Sequence, residues 1–176
     1  MFHKRLLPSL LLALISGLPM LVIAQLEDEN TEQNLSATNA KLPIKILADE
    51  VEVDPNNNIS VYSGNVELRQ GEMSLTADSL TASVKNGQLN RLEARGKPAR
   101  FSAVLSDGRP VLGEATSIDF KAAKEILVLK GEGLLKQGGN SINNDRIEFN
   151  LKTGHFNAGG KESNGRVEVI LQPASE

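Results

Sequence analysis

An all-β fold of about 14–16 short antiparallel strands is predicted by three features of the chain: alternating apolar positions, regularly spaced turn residues and an internal duplication. From Leu42 onward, apolar residues recur at every second position over four to six residues. Examples are Ile44/Ile46/Ala48, Val51/Val53, Val66/Leu68, Leu80/Ala82/Val84, Phe101/Ala103/Leu105 and Ile147/Phe149/Leu151. Period two is the signature of a strand buried on one face. Between the runs stand Asp54-Pro-Asn-Asn-Asn58, Ser63-Gly64, Gln70-Gly71, Asn86-Gly87, Asp107-Gly108 and Gly138-Gly139, residues that suit tight turns. No helical periodicity competes after residue 24.

The duplication is the third feature. Shifted by 67 positions, Ala48–Asn90 lies on Ala115–Asn157 without a gap, with 12 identities in 43 positions. Unrelated sequence of this composition would give roughly 2–3. The identities include Gly64/Gly131, Leu68/Leu135, Gln70/Gln137, Gly71/Gly138, Asp78/Asp145 and Lys85/Lys152, and conservative swaps such as Leu75/Ile142 fill the apolar slots between them. Neither half closes its own apolar face. Stacking one half on the other predicts two sheets facing each other across an apolar interior, a jelly-roll-like sandwich. Gly64 and Gly131 are expected at one tight corner in each half, and Asp78 and Asp145 as turn acceptors.

Residues 1–24 read as a secretory signal. His3, Lys4 and Arg5 precede the apolar stretch Leu6–Ile23, and Val22-Ile-Ala24 before Gln25 is a small-residue cleavage site, so the bond between Ala24 and Gln25 is the expected cut. Residues 25–41 are acidic, then rich in Asn, Thr, Ser and Ala, and read as a disordered leader. The β domain is expected over 42–172, leaving 173–176 as a tail.

Composition excludes much chemistry. The chain has no Cys and no Trp, so disulfides, thiolate nucleophiles and Cys-based metal sites are absent. Formal charge is −3; without Lys4 and Arg5 it is −5, which gives nucleic acid no electrostatic reason to bind. After the signal one histidine remains, His155, and no nucleophile elbow, zinc helix, phosphate loop or calcium loop is present. Neither an enzyme nor a metal or cofactor is expected. What remains is an aliphatic interior: a dry core, or sheets splayed enough to hold acyl chains. Each buried methylene stabilises by about 0.8 kcal/mol, so a twelve-carbon chain gains on the order of 9 kcal/mol without any catalytic residue.

The ordered motifs identify a family. A-D-x-V-x-V-D at Ala48–Asp54, Y-S-G-N-V-x-L-x-Q-G at Tyr62–Gly71, L-T-A-D at Leu75–Asp78, G-K-P-A-x-F at Gly96–Phe101 and L-x-G-E-G-x-L-x-Q-G at Leu129–Gly138 resemble the OstA-like repeat family across 42–172. Gly131-Glu132-Gly133 stands where the second copy usually has G-N-[AV], and Asn143-Asn144-Asp145 where a glycine often precedes the acid; neither change removes an apolar slot. The resemblance implies a twisted antiparallel β-jelly roll, open at both ends, that binds the lipid A part of lipopolysaccharide in the periplasm. It also implies head-to-tail stacking of copies between an LptC-like inner-membrane component and an LptD-like outer-membrane translocon.

Alternation and resemblance together nominate lipid contacts at Ile44, Ile46, Val51, Val53, Leu68, Leu75, Phe101, Phe120, Val128, Ile142, Ile147 and Phe149. A facing error of one residue would reverse a side chain's direction. The joining edges are expected at Ile44, Lys45, Ile46 and Leu47 and at Val167, Glu168, Val169 and Ile170, where both terminal strands are free of proline. Three alternatives stand beside this reading. An LptC-like membrane-anchored adaptor would retain Met1–Ala24. A secreted carbohydrate-binding jelly roll would need an aromatic platform, yet Tyr62 is the only Tyr and Trp is absent. A structural filament with a dry core would take up no lipid.

Overall fold

The computed structural model describes residues 42–161, 163 and 165–173; the expected signal with its Ala24–Gln25 bond, the leader and residues 174–176 lie outside the described residues. Ten strands follow one another: β1 Lys45–Leu47, β2 Glu50–Asp54, β3 Ile59–Gln70, β4 Met73–Lys85, β5 Gln88–Val104, β6 Pro110–Lys121, β7 Ile126–Gln137, β8 Asn140–Asn150, β9 Phe156–Ala158 and β10 Glu168–Ile170. One 3₁₀ turn, Ala122–Lys124, separates β6 from β7. The strands form one antiparallel sheet in the order β1-β3-β4-β5-β6-β7-β8-β10, with β2 also beside β3 and β9 also beside β8.

The all-β class is as expected; the strand count is not. Six strands run 11 to 17 residues each, in place of about twice as many short ones. The sequence predicts a turn at Ser63-Gly64 and a tight corner at Gly64 and Gly131, whereas both glycines lie inside strands, β3 and β7, at bulges. Asp78 and Asp145 likewise lie in bulges inside β4 and β8 rather than in turns. The other sequence-predicted turns are turns. At the first, Asp54 Oδ1 accepts from the backbone N–H of Asn56 (2.9 Å) and Asn57 (3.2 Å). The hydrogen bonds from Asn57, its side chain's first, hold the Asp54 carboxyl below its ordinary range.

The two copies are side by side, not stacked face to face. The shift of 67 carries β3 onto β7, the start of β4 onto β8, and β1 and β2 together onto β6. Each copy is thus a four-stranded meander, and the last strand of the first (β5) pairs with the first strand of the second (β6). The two layers come instead from bending every strand. Pairing slips between Ser63 and Val66, Thr76 and Ser79, Arg95 and Ala99, Glu114 and Ser117, and Lys130 and Gly133, positions that lie side by side across the sheet. A bulge bends its strand, and bulges aligned on neighbours fold the whole sheet along one line.

The extra residue at each bulge also resets the alternation. Leu75 and Leu80, Ala94 and Ala99, and Ala115 and Ile118 are odd numbers of residues apart, yet all are buried on one side. In a regular strand they would face opposite ways. The result is two wings sharing one core. Leu80, Leu92, Ile118 and Phe149 come from the wing bounded by the turn of Ala122–Lys124; Leu68, Leu75, Phe101 and Leu135 come from the other.

The sequence repeats because the bend repeats. Gly64 and Asn65 in β3, and Gly131 and Glu132 in β7, all have positive φ (77°, 45°, 73° and 53°). Asp49 packs on the first bend: its N–H donates to Gly64 O (3.0 Å), and Asn65 Nδ2 donates to its Oδ2 (2.8 Å). A Cβ at Gly64 would collide with the Asp49 carboxylate; at Gly131 it would meet Thr116 Oγ1 at 3.0 Å, and Thr116 is the repeat equivalent of Asp49. On the outer face the seam between copies is clasped by Arg91 of β5, whose Nε and Nη2 donate to the two oxygens of Asp119 of β6, both at 2.6 Å. Asp119 is 4% exposed, and the hydrogen bond it accepts raises the Arg91 pKa above its usual value.

Gly64→Ala is expected to destabilise the domain by about 2 kcal/mol or more, since a left-handed residue with Cβ costs roughly 1–2 kcal/mol before the collision with Asp49. Urea unfolding checks this, with the midpoint lowered and the slope unchanged.

Candidate functional site

The inner face of the folded sheet is built from continuous cross-strand rows. In one wing the partners run Val53, Ser60, Ala82, Leu92, Phe120, Leu127, Phe149, Phe156. A second row of that wing runs Val51, Tyr62, Leu80, Ala94, Ile118, Leu129, Ile147, Ala158. In the other wing the row is Ile46, Leu68, Leu75, Phe101, Gly113, Leu135, Ile142, Val169. Partners across an antiparallel ladder point to the same side, so each row is an apolar band lining the space between the wings.

Exposure changes along these bands. The middle members are buried, whereas Val51, Val53, Phe156 and Val169 are 59%, 62%, 42% and 46% exposed. They face inward, but among the described residues no strand lies beyond β2, β9 or β10 to cover them. The interior is therefore a trough with both ends uncovered. Along its side, where the free margins of the wings approach, lies a cavity of about 510 Å³. Met73, Ala103 and Ile44 line it from one wing and Leu89, Phe120 and Leu151 from the other. This volume falls within the range of about 300–1,000 Å³ usual for ligand clefts. Its polar members are Gln70, whose Nε2 donates to Leu42 O (3.0 Å), Gln88 and Glu125, whose Oε2 is buried with no hydrogen-bond partner among the described residues.

Of the nominated contacts, Leu68, Leu75, Phe101, Phe120, Ile142, Ile147 and Phe149 belong to the shared core, and Ile46 packs against it. Ile44 lies at the edge beside the cavity. One facing needs correction. Val128 pairs with Asp119 and Glu148 and points to the outer face, the reversal that a slip of one residue produces. Val51 and Val53 have the expected facing but are not enclosed, because β2 is an edge strand. The nominated joining residues 44–47 and 167–170 do fall on β1 and β10 and the residues next to them.

Several trough residues were missed. Met73, Leu89, Ala103 and Leu151 line the cavity, and β2 and β9 are edges as fully as β1 and β10. The duplication held the signal for these edges: β6 is unbroken, while its counterpart in the first copy is split into β1 and β2. His155 is exposed, its backbone engaged with Thr153 and Asn150. Among the described residues no group of three His, Cys, Asp or Glu is placed to hold a metal.

Residues 45–155 match the family described as LptA/(LptD N-terminal domain) LPS transport protein. The chain belongs to this family. It is 30% identical over 134 residues to the lipopolysaccharide export system protein LptA of Escherichia coli K12, covering 75% of this chain and 72% of that one. To LptH of Pseudomonas aeruginosa it is 27% identical over 139 residues, covering 74% and 79%. The fold is that of the crystal structure of LptH, the periplasmic LptA homologue of the Pseudomonas aeruginosa lipopolysaccharide transport device. That match has a TM-score of 0.71 at 24% identity and covers 77% of this chain and 99% of the other. The OstA-like resemblance of the motifs and the family agree.

Proposed function

We propose that the protein is a periplasmic lipopolysaccharide carrier. Lipid A acyl chains lie in the trough between the wings, and copies stack head to tail to bridge an LptC-like inner-membrane component and an LptD-like outer-membrane translocon. The observation that carries this reading is the inward-facing apolar band left uncovered at both ends of the sheet. An apolar face that runs to an open edge is completed only by another apolar surface, either a lipid or a further sheet. Transport by burial needs no reacting group, since the gain comes from removing apolar surface from water.

Strand direction supports the stacking. β1 is antiparallel to β3 and β10 is antiparallel to β8, while β3 and β8 are themselves opposed across five antiparallel pairings. A copy displaced along the sheet without being turned over therefore presents its β1 antiparallel to β10 of its neighbour. The internal seam supplies the register. Phe101 of β5 faces Gly113 of β6, and Leu92 faces Phe120. Val169 stands beside β8 as Phe101 stands beside β4, and Ile46 is the repeat counterpart of Gly113. By the same mapping Phe156 corresponds to Leu92, and Val53 to Phe120. Repeating the seam between molecules sets Val169 against Ile46 and Phe156 against Val53 of the next copy, which covers apolar inner positions in both wings. Different surfaces that join by translation give open filaments rather than closed dimers.

Ile46→Asp and Phe120→Asp are each expected to cut lipopolysaccharide loading at least about tenfold, because a carboxylate would have to be desolvated against acyl chains. Loading is read by mass spectrometry of the purified protein after incubation, with circular dichroism confirming the sheet. Loading equal to the parent refutes the trough, and failure of the parent to load leaves the dry-core filament. The chain has no cysteine, so the joint is testable directly. Mixed Ile46→Cys and Val169→Cys variants are expected to form an intermolecular disulfide, and Ile44→Cys with Val169→Cys much less. Equal yields refute the register, and a parent that stays monomeric at all concentrations refutes the stacking.

A further inference from the structure

The cavity beside the trough has a rim of a different character from the rest of the surface. It is bounded by three turns of one wing: residues 86–87 between β4 and β5, residues 122–125 between β6 and β7, and residues 151–154 after β8. Lys85, Lys121, Lys124 and Lys152 stand in or next to these turns, against the single carboxylate of Glu125. The chain as a whole is net acidic, with a formal charge of −3. The same sheet's bend line is mixed in sign, with Asp49, Asp78, Glu132 and Asp145 beside Arg95, Lys97, Lys130 and Arg146.

Three further observations tie the rim to a ligand. The lysines adjoin the cavity wall itself: Ala122, Ala123, Glu125, Leu151, Gln88 and Leu89 line the cavity, and Lys121, Lys124 and Lys152 flank them in sequence. The hydrogen bond from Leu151 N–H to Glu125 O (2.9 Å) brings the turns of Lys124 and Lys152 together. Among the described residues the ion pairs all use arginines and no lysine, and four of these uncommitted ammonium groups fall in or next to the three turns of the rim. Glu125 contributes the third observation, since its Oε2 is buried in the cavity wall with no donor among the described residues. An acceptor in that state is satisfied by an O–H or N–H arriving with a ligand. The duplication bears on the rim too: Lys85-Asn86-Gly87 and Lys152-Thr153-Gly154 are repeat equivalents, so the same cation is placed at the same turn in each copy.

We propose that this rim is a headgroup site. Lys124 and Lys152, with Lys85 and Lys121 extending the field, hold a phosphate of the amphiphile, and Glu125 Oε2 accepts a hydrogen bond from a hydroxyl or amide of its sugar. The inference rests on the reading that acyl chains occupy the trough. Tails buried between the wings leave the head in water at the margin, and of the two margins this one concentrates unpaired ammonium groups. An ammonium near an anionic surface contributes about a factor of five to binding at low salt, and the gain fades as the Debye length shrinks.

The test compares two probes with identical acyl chains, bis-phosphorylated lipid A and its dephosphorylated form, binding to the full exported chain. The phosphorylated probe is expected to bind about tenfold more tightly at low salt, with the gap closing at high salt. In a Lys124→Ala/Lys152→Ala variant that preference is expected to collapse towards unity, whereas Lys97→Ala/Lys130→Ala, at the bend line, is expected to keep it. Equal affinity of the parent for the two probes, or equal loss in the bend-line variant, overturns the rim while leaving the trough standing. Failure of both probes to bind overturns the trough and the rim together. Displacement of lipid by millimolar inorganic phosphate at constant ionic strength would mark a site for free phosphate and overturn the headgroup assignment.

Discussion

The structure depends on one geometric constraint: every long strand must bend at the same line. A strand of twelve residues spans roughly 40 Å at about 3.3 Å per residue, and six such strands in a flat meander would leave a broad apolar face in water. The aligned bulges turn that face upon itself. They also insert the odd residue that keeps Leu75 and Leu80, or Ala115 and Ile118, on one side after the bend. Without the insertion the alternation would reverse at the fold line, and one wing would bury its charges. Fold and facing are thus set by the same few backbone positions, of which Gly64-Asn65 and Gly131-Glu132 have the most unusual dihedrals.

A sheet folded in this way has a core in its middle and a trough at its margins, for the same reason. Central rows have neighbours on both sides and a wing opposite, so Leu68, Ile118 and Leu129 are fully buried. At the edges the facing persists while the cover does not. Fully burying a side chain such as Val or Phe is worth about 1.5–3 kcal/mol, so the exposed Val51, Val53, Phe156 and Val169 represent a sizeable driving force for any apolar partner that fits. The edge strands are also short and split, which limits unspecific pairing. On the outside the Arg91–Asp119 pair locks the seam between the two copies.

Much of this was legible in the chain. Period-two runs gave the class, the Gly- and Asn-bearing turns gave most connections, and the shift of 67 exposed the duplication. Gly64 and Gly131 were recognisable as special positions. Whether a Gly-Asn pair ends a strand or bulges it was not readable, because both need the same left-handed backbone and only the neighbouring strands decide. That ambiguity inflated the strand count and turned two side-by-side meanders into two stacked halves. Val128 was misassigned for a related reason: it sits in the continuous apolar run Ile126-Leu-Val-Leu129, where alternation is silent and pairing with Asp119 settles the face. The inward but uncovered state of Val51 and Val53 was beyond alternation altogether, since facing is local and cover depends on the order of strands.

The central claim is that alternate residues of the long strands see two different media, acyl chains within the fold and water outside it. Photo-reactive side chains placed singly at Leu92 and Phe120, and at the outward-facing pair Thr81 and Glu93, test it in protein loaded with lipopolysaccharide. Labelling of lipid from the first pair and not from the second is the predicted result. Equal labelling from all four positions, or none from any of them in loaded protein, would contradict it.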